Sequence, residues 1–226
     1  MARPERNKND GQHGSGKGGL WRPVEKIKSL TQSFHQTRLD QSLVEHARKG
    51  HEWRVARLLD AGANPNAQGG KPLEDAARGG HIEVVDELLS HGAKADANGA
   101  RAMLIAVKHG HRPVARRLIQ AGADVHSDND AAIVLASALR NVPMMEMLVR
   151  CGANVNAQSG MPLQIAASRG HPHVIRLMLE NGAKLTSEND PAFKIAQKNN
   201  RNLCLEVMRA HIAAQKTVKP PAPPVP

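Results

Sequence analysis

The chain has 226 residues, with 31 Lys and Arg against 21 Asp and Glu, a net charge of +10 and a mean hydropathy of −0.46. Two Phe, two Trp and no Tyr leave too few rings for an aromatic ligand cage or a base-stacking platform, and two cysteines cannot make a disulfide framework. No run approaches the roughly twenty apolar residues of a membrane span and the first thirty lack an apolar signal core, so a soluble, cytoplasmic chain with no membrane partner is expected.

Charge is unevenly spread. Residues 1–38 hold eight Lys and Arg against three Asp and Glu, while residues 39–212 are nearly balanced, with 21 basic and 18 acidic. Residues 1–22 form a basic arm whose first part is polar and Gly-rich, a composition that does not fold by itself. Gly11 to Gly18 approximates a phosphate-binding loop. It lacks the final Ser or Thr and follows no strand, so it reads as a flexible linker. A positive arm suits weak, nonspecific contact with nucleic-acid phosphates. Residues 23–37 predict an amphipathic helix, with Pro23 in its first turn and Val24, Ile27, Leu30 and Phe34 on one stripe. That stripe is expected to cover Trp53, whose place in the pattern is otherwise taken by Glu83, Pro113, Pro143 and His173.

From about residue 38 a period of thirty takes over. Gly-Ala recurs at 62–63, 92–93, 122–123, 152–153 and 182–183. Leu73, Met103, Ile133, Leu163 and Phe193 make an apolar column, and Ala76, Ala106, Ala136, Ala166 and Ala196 a column of small residues. Leu58, Leu88, Leu118, Leu148 and Met178 make another. Each unit reads as two short helices. In the unit beginning at Lys71, Pro72-Leu73 opens the first helix, Gly79-Gly80 stops it, a second runs from about His81 to about Ser90, and Gly92 ends it. A fixed period of this size means a solenoid of stacked units. Six units, the last ending near residue 212, give an all-α array over 38–212. Cys151 and Cys204 fall in different columns, which disfavours a bridge between them. Residues 213–226 end in Lys219-Pro220-Pro221-Ala222-Pro223-Pro224-Val225-Pro226, a polyproline II spacer.

Pro72-Leu73-Glu74-Asp75-Ala76-Ala77, Gly80-His81, Val84-Val85, Leu88-Leu89 and Gly92-Ala93 together resemble the ankyrin repeat, as does Met161-Pro162-Leu163-Gln164-Ile165-Ala166-Ala167 with Gly170-His171. The units are shorter than the family's usual 33 or so residues. The shortfall lies between Ala67 and Pro72, where the family carries its hairpin finger, so blunt turns are expected at Gln68-Gly69-Gly70 and Asp128-Asn129-Asp130. Such short units are similar to those of large DNA viruses and of some bacterial and phage proteins. The resemblance implies a module that binds proteins through the concave face of its first helices.

Chemistry is sparse. No nucleophile elbow, paired-carboxylate signature or His-Glu-x-x-His is present, so neither catalytic residues nor a cofactor are expected. His51, His81, His111 and His171 recur once per unit. Adjacent helices lie about 8–10 Å apart, too far for one column to converge on a metal with ligands at about 2 Å. These His residues are read as helping to start the second helices. Basic residues gather where the first helices end: Arg48, Lys49, Arg78, Lys108, His109 and Arg169. They are the candidate contacts for a protein partner with an acidic surface, although cations also favour helix C-termini for their own sake. Asp75 shares a column with Ile105, Leu135, Ile165 and Ile195. Lys71 and Arg78, four before and three after it, offer a local ion pair, and a polar contact site is the alternative.

Overall fold

From the second unit on, each unit places Ala in its first helix, at 76, 106, 136, 166 and 196, so the helices approach closely and the larger columns fill the space between them. The computed structural model describes the backbone of residues 22–217 and the side chains of residues 31–215. The near-phosphate loop, the first part of the basic arm, the side chains of Val24, Ile27 and Leu30, and the Pro-rich tail lie outside the described residues.

The described residues divide into two units between residues 38 and 39, within α1 (Arg22–Lys49). In the first, the Thr37 hydroxyl donates to the Ser33 carbonyl at 2.9 Å and Phe34 is 74% exposed. The second holds the repeats. Its helices are α2 (Glu52–Asp60), α3 (Ala67–Gly79), α4 (Ile82–Ser90), α5 (Ala97–His109), α6 (Arg112–Gln120), α7 (Ser127–Ala138), α8 (Val142–Arg150), α9 (Ala157–Arg169), α10 (Pro172–Glu180), α11 (Pro191–Lys198) and α12 (Asn202–Thr217). First helices stack as one layer, α3 on α5, α7, α9 and α11 in turn, and second helices α2 to α12 stack as another. Among the described residues there is no strand.

The columns become one continuous core. Ala76, Ala106, Ala136, Ala166 and Ala196 are buried, as are Leu88, Leu118, Leu148, Met178 and Met208. Cys204, in the Val84 column, is buried, Cys151 is half-buried, and both are free.

Where the hairpin finger is missing, three consecutive residues turn left-handed at the start of α3, α5, α7 and α9. They are Gln68-Gly69-Gly70, Asn98-Gly99-Ala100, Asp128-Asn129-Asp130 and Gln158-Ser159-Gly160, all at positive φ. Gly, Asn and Asp enter that region most readily, which explains the composition of these short links. Neighbouring turns are tied together: the Asn98 amide donates to the Gly69 carbonyl at 2.7 Å and the Gln158 amide to the Asn129 carbonyl at 3.3 Å.

The recurring His has a different task from the one expected of it. The His81 and His111 side chains make no cap bond. Each instead lies against the preceding unit, with Nε2–H donating to the carbonyl of Arg48 (3.3 Å) or of Arg78 (3.1 Å). The last carbonyls of a helix have no partner within it, and the ring supplies one. Arg201 does the same in the last unit, donating to the Ser168 carbonyl at 3.3 Å. The ring also requires a bare backbone beside it. Gly80 has φ +74, and a β-carbon there would stand 2.5 Å from His111 Nδ1.

Asp75 sits among this core, 4% exposed, and Lys71 Nζ reaches its Oδ1 at 2.9 Å while the Arg78 guanidinium meets the same oxygen. The local ion pair is therefore formed. Arg101 lies 3.5 Å from Glu74, the other buried carboxylate of α3.

Candidate functional site

Every α-helix gathers partial negative charge at its C-terminus, and this array sets those ends side by side. Arg48 and Lys49 occupy the last turn of α1, Arg78 that of α3, Lys108 and His109 that of α5, Arg169 that of α9 and Lys198 that of α11. The bonds from His81, His111 and Arg201 to the preceding unit hold consecutive ends together. The six candidate residues are all exposed and lie along one ridge.

The ridge is not uniform. Toward the N-terminus two of its three cations are engaged: Lys49 pairs with Glu45 at 2.6 Å and Arg78 with Asp75. The Lys49 hydrogen bond and charge hold the Glu45 carboxyl below its usual range. From α5 onward no carboxylate among the described residues comes within ion-pair distance of Lys108, Arg140, Arg169, Lys198 or Arg201. The His109 ring is stacked on His111, with centroids 6.2 Å apart.

Unit four breaks the pattern. Ala138-Leu139-Arg140-Asn141 stands where the preceding unit has Lys108-His109-Gly110-His111. Arg140 takes the left-handed position, at φ 59, that Gly110 fills with φ 77. A non-Gly residue there costs on the order of 1 kcal/mol. Leu139 is left 48% exposed. Asn141 caps its helix, its Oδ1 accepting from the Met144 amide at 3.0 Å. Sequence reasoning missed Arg140 and Arg201 because each sits one or two places beyond the basic columns. The signal available was the loss of Gly-His from unit four.

His171 shows the effect of these cations. Its Nε2 is buried and has no hydrogen-bond partner. Burial first, then the charges of Arg140, Arg169 and Arg201, push its pKa below the ordinary 6.5. Burial, Arg54 and His51 do the same to His46. Both rings therefore bind a proton less readily in the folded state than in the unfolded chain. As pH falls through 6.5 the unfolded chain takes up protons that the native state refuses, so stability present above that pH is lost below it. Melting at about pH 5.5 should therefore fall below melting at about pH 7.5. His171→Asn, the residue found at 141, should shrink the difference; an unchanged difference would remove His171 from the account.

Among the described residues no group of three His, Cys, Asp or Glu could hold a metal ion, and no helix is long and apolar enough to cross a membrane.

The family described as ankyrin repeats (3 copies) matches residues 43–129 and again 132–219. The chain belongs to the ankyrin-repeat family. No curated protein matches it. Ankyrin repeats generally mediate protein–protein interaction and are typically non-enzymatic; in this ankyrin array Arg201 also bonds the preceding unit, while Lys108, Arg140, Arg169 and Lys198 have no carboxylate partner among the described residues.

Proposed function

We propose that this ankyrin array is a non-enzymatic binding module that holds a protein with an acidic surface through the concave face of its first helices, using the basic ridge at their ends. The observation that carries the reading is the run of cations from Lys108 through Arg140 and Arg169 to Lys198 and Arg201, with no carboxylate paired to any of them among the described residues. Arg48, Lys49, Arg78 and His109 extend the ridge, the first helices' own end charges supplying the alternative to which it is compared. Uncompensated surface charge steers a partner of opposite sign and speeds encounter more than it stabilises the fold. Leu139, exposed in the middle of the run, gives that partner an apolar contact. Two free cysteines suit a reducing compartment, and the cytoplasm is the site of action that fits.

The test is site-resolved capture from the native cell, with nuclease present. A photo-crosslinking residue at 139 should trap a protein, and one at 173, on a second helix, should trap far less. Crosslinking from 173 and not 139 would move the binding face. Capture that vanishes on nuclease treatment and weakens steeply with salt would replace the protein reading with nucleic-acid attachment through the basic arm.

A further inference from the structure

The ridge is not the only unexplained surface. Among the described residues no repeat precedes the first, so the face that each later repeat turns to the one before it has no repeat against it. Ser42, His46, Trp53, Arg54, Arg57, Leu58 and Ala61 line a cleft there of about 330 Å³. Three of these stand in core columns. His46 replaces the buried Ala76, Ala106 and Ala136; Arg54 replaces the buried Val84, Val114 and Met144; Leu58 aligns with the buried Leu88 and Leu118. Polar residues at an exposed end are what a terminal repeat requires for solubility, and that requirement covers His46, Arg54 and Ser42.

It does not cover Trp53. The same position in the next five units holds Glu83, Pro113, Pro143, His173 and Leu203, exposed in each. The fold therefore asks for no large ring here, yet the residue is Trp, 60% exposed, with Leu58 half-buried beside it in the cleft wall. Trp and Arg are the residues most enriched among those that dominate interface energetics. The Arg54 guanidinium lies 4.9 Å from the Trp53 ring centre, and no carboxylate lines the cleft.

We propose that this cleft seats an acidic peptide segment of a partner protein, with an apolar side chain against Trp53 and Leu58 and carboxylates on Arg54 and Arg57. Charge selects that occupant. The chain's own residues 1–38 carry eight Lys and Arg against three Asp and Glu, the wrong sign for a cleft lined by two Arg and a His. A second copy docked cleft to cleft about a two-fold axis would bring the Arg54 and Arg57 of the two copies together. A nucleic-acid strand needs a succession of stacking rings, and this cleft has one, with Arg54 already over it. His46 of the cleft shares the last turn of α1 with Arg48 and Lys49 of the ridge, and neither reading depends on the other.

Trp21→Phe leaves Trp53 as the only tryptophan of the full chain, so its fluorescence reports on the cleft alone. Titration with a short synthetic peptide of Asp and Glu with Leu interspersed should shift the emission to the blue and saturate. Arg54→Glu with Arg57→Glu, at exposed positions, should leave melting unchanged and weaken that peptide at least about tenfold. Trp53→His, the residue at the equivalent position 173, should weaken a labelled copy of it comparably by anisotropy. The proposal is overturned if no saturable response is found, if a Lys-for-Glu version or a peptide of residues 1–20 acts as well, or if a mononucleotide does and the acidic peptide does not. Emission that depends on protein concentration, with self-association in sedimentation, would overturn it in favour of a second copy.

Discussion

Alanine at both Lys71 and Arg78 should lower the stability of the array by about 3 kcal/mol, the low end of what breaking a buried ion pair costs. The carboxylate of Asp75 is 4% exposed and both cations meet its Oδ1. Without them it keeps its burial and loses its compensation, which is the expensive combination. The low end applies because the cations are 36% and 42% exposed, so solvent already screens part of their attraction. Either single change should cost less, since one cation remains. Adding Asp75→Ile to the double variant should restore most of the loss. Ile stands at 105, 165 and 195 in the same column, and with no carboxylate there is nothing left to compensate. Urea unfolding followed by circular dichroism reads all three. A double variant within about 0.5 kcal/mol of the parent, the ordinary scatter of surface changes, would mean that Asp75 is solvated when its partners leave.

What could be read from the chain and what could not divide along a physical line. Columns such as Ala76–Ala196 or Leu88–Met208 repeat because each unit buries the same face against the next, so burial writes itself into the period. The two helices per unit and the free, buried Cys204 follow from that. The partners of Asp75 were legible because they lie within one helical turn of it. Contacts across units were not. That His81 and His111 reach back to the Arg48 and Arg78 carbonyls depends on how one unit is seated on the last, and spacing alone suggested a cap. The ridge was half legible: its cations could be counted, but Lys49 and Arg78 are engaged while Lys108 and Arg169 are not, and pairing is decided by neighbours rather than by columns. Trp53 was recognised as out of pattern, and its ring is 60% exposed. A single odd residue tells of a demand that the repeat does not make, without saying which surface meets it.

Reversing the uncompensated part of the ridge should have the largest effect on binding. Lys108→Glu, Arg140→Glu and Arg169→Glu together should weaken the captured partner about a hundredfold, equivalent to about 2.7 kcal/mol. Three changes of sign replace attraction by repulsion against an acidic surface, and like charges brought together at an interface cost several kcal/mol. Folding should be nearly unaffected. None of the three holds an ion pair among the described residues, and exposed charges contribute little to stability. Arg140 is the partial exception: it sits at φ 59, and Glu inherits the same strain, so the change there alters charge and not backbone. Arg78 is left out because reversing it would put a second carboxylate against Asp75 and confuse unfolding with lost contact. The control is Arg112→Glu with Arg116→Glu, two exposed residues of α6. It reverses two cations on the other layer against three on the ridge, so most of the long-range field effect is reproduced while the face differs. Surface plasmon resonance at two ionic strengths should show the ridge variant losing mainly association rate, with the gap from the parent narrowing as salt rises. If the α6 variant loses the partner and the ridge variant keeps it, the second helices carry the interface and the ridge cations serve only the ends of their own helices.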